Sequence, residues 1–454
     1  MSGTAELRAD SKLVRGILRW DLLALMVNGI IGAGIFGLPS KVFALTAGYS
    51  LLAFAACALL SALIVLCFAE VASRFEGTGG PYVYARAALG PVVGFEVGWL
   101  LWLARLTSFA ALSNLFVSYL HGLLPAAGSE PWRSAVIATL LAVLTLINLI
   151  GVRNVALVSD AFTIGKLLPL VLLIVAGLPQ VVPSRLSLGP APSPPAFSGA
   201  VLLLIFAFSG FEAVTVPASE IKDPRRNLPW SMLTAIVLVA VIYESIQAVC
   251  VGTVPGLAHS ERPLAEAGAR VLGHAGALIV SLGALVSILG TLNGVVLVAP
   301  RLLFAMAERG ELPRILTATH PRFRTPWVAI LVSSSVMLAL ALTGSFIAAL
   351  TISTIARLLT FVATSAALPV LRRRPDAPPP AFRAPGGVAL ATLTLALCAW
   401  LIAHSGGREG RDVGIAAGLG LVTYLAGRGR RRAGRATAAS VPPASGGGVD
   451  RPAP

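Results

Sequence analysis

Charge is scarce in this sequence. Only 12% of its 454 residues are Asp, Glu, Lys or Arg, 56% are hydrophobic, and the mean hydropathy is +0.84. A water-soluble domain carries about twice that share of charge, so the composition excludes the soluble classes and indicates an all-α polytopic membrane protein. Cysteine is scarce as well. Cys57, Cys67, Cys250 and Cys398 all fall in apolar runs, which suggests neither a disulfide framework nor a metal site. The five histidines show no ligand spacing. No Walker-type glycine loop occurs, so ATP is not expected to drive the process directly. No nucleophile-with-base or paired-carboxylate pattern appears, which speaks against a membrane enzyme, and no cofactor is indicated. The opening MSGTAELRADSKLVRG is polar and runs straight into the first apolar run, so no cleavable signal peptide is expected.

What the chain has instead is apolar runs. Twelve spans are expected at 20–45, 49–73, 91–120, 133–151, 155–178, 198–219, 230–254, 272–303, 326–344, 347–371, 388–404 and 412–427. The net charge of +15 could suggest nucleic acid, but its distribution argues otherwise. With residues near span ends counted to the adjoining face, 25 Lys and Arg lie on the side of the N-terminus, 7 on the other side and 3 within spans. The positive-inside rule accounts for this and predicts both termini in the cytoplasm of a protein in the cell membrane. Residues 1–19 then form a cytoplasmic segment. Residues 179–197, Pro-rich and nearly uncharged, form an extracellular linker, and 428–454 form a disordered basic cytoplasmic tail held near anionic lipid.

Two of the runs are interrupted. Asn28 to Pro39, NGIIGAGIFGLP, puts Gly29, Gly32, Gly34, Gly37 and Pro39 into the first span. Phe206 to Pro217, FAFSGFEAVTVP, does the same in the sixth, again with a proline seven residues after a glycine. Glycines alone can serve close helix packing. Matched interruptions in two halves point further, to broken helices whose irregular backbone lines a cavity, as in secondary transporters rather than continuous channels. Five spans separate the two breaks, so residues 20–178 and 198–371 read as an inverted 5+5 repeat, with 372–427 adding two helices. Between spans 2 and 3, Gly79-Gly80-Pro81 with Tyr82 and Tyr84 suggests a short interfacial segment, the alternative being an ordinary loop.

The run IIGAGIF, the Glu70…Gly79-Gly80-Pro81-Tyr82…Tyr84 loop, the SGFE…E-x-K-x-P-R-R-N-x-P stretch from Ser209 to Pro229, and Arg301…Gly310…Leu312-Pro313 occur in order over residues 20–372. Together they resemble the amino acid–polyamine–organocation (APC) transporter superfamily. The resemblance implies the leucine-transporter-like fold, with an amino acid held between broken helices 1 and 6. It also implies an aromatic gate at Phe206, and a lysine at Lys166 standing where sodium-coupled relatives bind their cation, with Ser287 and Thr291 as neighbours.

The residues themselves support a site of this kind. Backbone around Ile30, Gly32, Ala33 and Gly34, and around Phe206, Ser209 and Gly210, suits a carboxylate at a helix N-terminus and an ammonium at helix-end carbonyls. Lys166 lies mid-span, where a charged amine costs roughly 2.5–3.5 kcal/mol. Since burial penalises its charged form, such a lysine can exchange a proton near neutral pH; the plainer reading is a lysine reaching the interface, near Asp160. Arg105 in span 3 and Arg357 in span 10 do not discharge, so each needs water, a ligand or an anion. Glu212 is the obvious buried carboxylate. A Glu212–Arg357 pair is expected to gate the outer side, and Arg105 to hold an anionic substrate group; the plainer reading has both arginines on helix-end carbonyls. Asn114 and Asn293 are further polar candidates, and Glu244 has no assigned role. The expected partners are a small amino acid or related carboxylate and the lipid bilayer, not nucleic acid. Oligomeric state has no signature in the sequence. The expected function is secondary active amino acid transport, coupled to protons through Lys166, with exchange without proton coupling, or transport of another small organic carboxylate, as alternatives.

Overall fold

The computed structural model describes residues 17–32, 34–76, 79–150, 155–216, 218, 221–405 and 407–439, with the side chains of 155–164 and 428–439 left out. Of the expected site residues, Ala33 lies outside the described set, as does the Asp160 side chain. Among the described residues the chain is helical throughout. Its elements are α1 (Arg19–Ile30), α2 (Gly34–Thr46), α3 (Ser50–Ala72), α4 (Pro81–Leu89), α5 (Pro91–His121), α6 (Trp132–Ile150), α7 (Val155–Gly177) and α8 (Pro194–Phe208). There follow α9 (Phe211–Val214), α10 (Pro224–Thr253), α11 (Pro263–Glu308), α12 (Trp327–Thr343), α13 (Phe346–Arg373), α14 (Val388–Ala403) and α15 (Gly407–Ala439).

Among the described residues seven helical stretches are long and apolar enough to cross a membrane, or eight if α14 and α15 count as one bent span. This multi-pass architecture agrees with the composition. The number is lower than twelve partly because α2 and α3 run on as one stretch of 39 residues, Gly34–Ala72, and because Gly165–Gln180 and α12 are shorter apolar helices. Among the described residues the four-residue α9 follows the second break, and Pro217 and Ser219 of the half-span expected to 219 lie outside the described set. The last helix runs to Ala439 rather than stopping near 427. Its final stretch, GRGRRRAGRATAA, is rich in Ala and Arg, both good helix formers. Residues 440–454 lie outside the described set.

Helix α5 forms the central post, packed against α11, α12 and α13, while α2 packs on α8 and α1 on α9 and α10. The segment between α3 and α5 is indeed a short helix. Gly79 and Gly80 turn with φ of +137° and +53°, and Pro81 opens α4, where its missing N–H costs nothing. The Tyr82 hydroxyl donates to Glu311 at 2.9 Å, Arg86 pairs with the same carboxylate, and Gly79 N–H donates to Val216 O at 3.0 Å. Burial and the Glu311 charge push the Tyr82 phenol up to about 12, so it stays a donor. Helix α4 thereby ties the end of α9 to the end of α11.

Candidate functional site: two broken helices around one cavity

Both breaks form where the glycines predict them. Helix α1 stops at Ile30, Ile31 N–H closes its last turn on Val27 O at 2.8 Å, and α2 starts at Gly34. Helix α8 stops at Phe208. Ser209 is extended, and Gly210 takes φ +126°, a region that L side chains avoid. The breaks meet backbone to backbone, since a Cβ on Gly210 would lie 2.1 Å from Gly29 O. A cavity of about 40 Å³ remains beside this contact. A water molecule's share of liquid volume is about 30 Å³, so the surrounding side chains must part before an amino acid can enter.

Most of the expected binding residues line this one cavity: Ile30, Gly32, Gly34, Arg105, Phe206, Ser209 and Gly210, with Thr291 and Arg357. Gly29, Ala207, Ser108, Leu112 and Val295 complete its wall, and Ser108, Leu112 and Val295 were not picked out from the sequence. Gly34 has a second role. A Cβ there would stand 2.9 Å from both Cα and Cβ of Ala207, so its hydrogen faces α8 rather than the cavity. Gly34→Leu is therefore expected to lose roughly 1–3 kcal/mol or more through overpacking, seen as a lower melting midpoint of the purified protein. A variant that melts like the wild type yet has lost substrate affinity would instead put that side chain in the cavity.

Lys166 does not reach for an interface. It is 3% exposed, and its Nζ donates to Asn28 O at 2.6 Å and Ile31 O at 2.8 Å. These carbonyls end α1, where the helix dipole favours a cation. Ser287 is buried on α11 near this region's wall, its hydroxyl without a partner among the described residues, and Thr291 stands against Gly32, 3.4 Å from where a Cβ would be. Tyr243 of α10 is the functional candidate that the sequence reading missed. Its hydroxyl bridges Ile30 O at 3.1 Å and Ala207 O at 3.2 Å, touching both broken helices. The available signal was a lone tyrosine in an apolar run, since a buried phenol needs a partner.

Arg105, Glu212 and Arg357, all buried, form a single cluster. Glu212, fully buried, accepts from Arg105 at 3.2 Å and from Arg357, both on Oε1, while Oε2 takes the Gly210 N–H at 2.7 Å. Arg357 also donates to Ser108 Oγ at 3.1 Å and packs its guanidinium 5.7 Å from the Phe206 ring centroid. The arginines thus share one carboxylate, leaving one net positive charge in the cluster. The Glu212–Arg357 pair expected at the gate lies just after the second break. Glu212 follows the break on the half leading to Ile221, which bridges Ile17 beside the start of α1, so the pair lies toward the N-terminal face. Beneath it Phe68, Phe211 and Phe361 pack together with centroids 5.3–5.5 Å apart. Asn114 lies far along α5, bonded to Ala110 O at 2.7 Å, and neither Asn293 nor Glu244 lines the cavity. Among the described residues no three His, Cys, Asp or Glu side chains converge as metal ligands would.

Known proteins share this sequence over most of its length. The amino acid permease family profile matches residues 17–422. The chain is 32% identical to the serine/threonine exchanger SteT of Bacillus subtilis, over 73% of this chain and 77% of that protein. It is 29% identical to the branched-chain amino acid permease BcaP of the same organism, over 87% and 89%. It is likewise 29% identical to the mouse b(0,+)-type amino acid transporter 1, over 72% and 69%. Two helices broken face to face, a lysine on the end of the first, and this match from residue 17 to 422 place the chain in the amino acid permease family of the APC superfamily.

Proposed function

We propose that the protein is a secondary active transporter that carries amino acids across the cell membrane by alternating access. The observation that carries this is the cavity between the two broken helices, where Gly29, Gly32, Gly34 and Gly210 of the two breaks line one space. In this reading the chain crosses the membrane twelve times with both termini in the cytoplasm. Residues 20–178 and 198–371 are the inverted repeats, 179–197 is extracellular, and 372–427 add two helices. The substrate's ammonium and carboxylate meet the backbone at Ile30 to Gly34 and Phe206 to Gly210, with Phe206 as the aromatic gate. Lys166 carries the proton, and the Arg105–Glu212–Arg357 cluster closes the cytoplasmic side.

The charge of that cluster sets the side-chain preference. One net positive charge near the substrate repels a cationic side chain by several kcal/mol at a few ångströms, even at an effective dielectric of about 20. Neutral and acidic amino acids are therefore favoured over lysine, arginine and polyamines. Uptake by reconstituted proteoliposomes across all amino acids tests this. Acidic or neutral substrates are expected to compete best, and Arg105→Ala to lose more affinity for an acidic than for a neutral one. Tight binding of lysine or arginine would sink the preference. The likeness to SteT, a serine/threonine exchanger, favours a second reading, exchange without proton coupling. In that case uptake would require amino acid preloaded inside the vesicles and would ignore an imposed pH gradient.

A further inference from the structure

A second cavity of about 730 Å³ opens on the face opposite the Ile17–Ile221 bridge, at the last turns of α5. The same two helices wall both cavities. On α5, Ser108 and Leu112 line the inner one, and Val117 and Ser118 the outer. On α13, Arg357 lines the inner one and Phe346 the outer. Leu115 and Phe346 close on Gly37 between them: a Cβ at Gly37 would stand 2.9 Å from Leu115 Cδ1 and 3.2 Å from Phe346 Cζ. From Leu112 to Ser118 is six residues of helix, about 9 Å. The partition is about one side-chain layer thick.

The outer cavity presents one charge of each sign. Arg133 is held in place, donating to Glu130 Oε1 at 3.0 Å and to Asn114 Oδ1, and its side chain stays 25% exposed. Asn114 is itself fixed by Ala110 O at 2.7 Å and Ala341 O at 3.3 Å, so the guanidinium rests on a rigid part of α5. Glu261 also lines the cavity; it is exposed and makes no hydrogen bond or ion pair among the described residues. A positioned guanidinium and an uncommitted carboxylate in one open space match the two ends of a zwitterion. Neither the breaks nor the inner cluster needs these residues.

We infer that this vestibule is a first docking site for the amino acid on that face, with Arg133 toward its carboxylate and Glu261 toward its ammonium, before the Leu115–Phe346 layer opens. Exposed charges hold weakly, which suits a site that must pass its ligand on. The inference rests on the transport reading above. Its test is initial-rate uptake and efflux in proteoliposomes of one orientation. Glu261→Gln and Arg133→Gln are expected to raise KM three- to tenfold for substrate arriving at the vestibule face. KM from the opposite face and the maximal rate should stay as in the wild type. Arg133→Lys, which keeps the charge, should recover most of the loss. An unchanged KM at the vestibule face overturns the proposal, and so does a rise that is equal at both faces, since that reports a structural effect. A wild type that moves no amino acid at all overturns the transport reading, and the vestibule with it.

Discussion

Replacing Glu212 by alanine is expected to be the most damaging single substitution in the protein, abolishing uptake and lowering the melting midpoint sharply. The carboxylate is fully buried and, among the described residues, is the only one paired with Arg105 or Arg357. Its removal leaves two guanidiniums in a dry site with only the hydroxyls of Ser108 and Ser353 near Arg357. Removing one member of a buried ion pair costs about 3–5 kcal/mol, because the remaining charge is uncompensated. The Gly210 N–H also loses its acceptor, so the backbone of the second break loosens where it faces Gly29. Glu212→Gln keeps an acceptor for that N–H and is expected to fall in between. Replacing all three residues together by apolar ones of similar size should restore much of the stability without restoring uptake, since well-packed apolar groups often equal a buried pair. Thermal melting in detergent and uptake in vesicles give the two readouts. A Glu212→Ala protein that melts with the wild type would show that the arginines have other counter-charges and that the cluster is no gate.

Local chemistry made much of this site legible before any coordinates. The breaks were readable because glycine and proline in an apolar run leave backbone groups that lipid cannot satisfy. Lys166, Arg105, Glu212 and Arg357 stood out because a charge amid apolar residues demands a partner. Which partner was another matter. Glu212 is 107 residues from Arg105 and 145 from Arg357, and no periodicity links such positions. The reading that gave Arg357 to the gate and Arg105 to the substrate divided what the fold joins on one oxygen. Tyr243 was hidden for a different reason. A phenol can pack as an aromatic or bond as a hydroxyl, and the acceptors it serves, Ile30 O and Ala207 O, exist as free carbonyls only once both helices have broken. Gly34 shows the converse: the residue lines the cavity, but its hydrogen points to Ala207 and not into that space.

Lys166→Ala is expected to remove the dependence of uptake on an inward proton gradient and to lower its rate at least tenfold. The ammonium is 3% exposed and serves two carbonyls at the end of α1, at 2.6 and 2.8 Å. A charged lysine offers three donors and a neutral one two, so the amine can lose a proton and still reach both carbonyls. What changes is the charge next to the negative end of α1, and with it the hold of α7 on that half-helix. That makes Lys166 suited to couple protonation to movement of α1 against α7. In the alanine variant Asn28 O and Ile31 O lose their donor, at roughly 1–3 kcal/mol for each group left unpaired, so substrate binding should weaken but remain measurable. Lys166→Arg supplies the control, because a guanidinium keeps the charge and does not discharge; it should bind substrate without responding to pH. Uptake in proteoliposomes under imposed pH and sodium gradients, together with equilibrium binding, separates the cases. A wild type driven by sodium and indifferent to pH, or a Lys166→Ala variant that still follows the proton gradient, would remove Lys166 from the coupling step and leave it a structural clamp on the first broken helix.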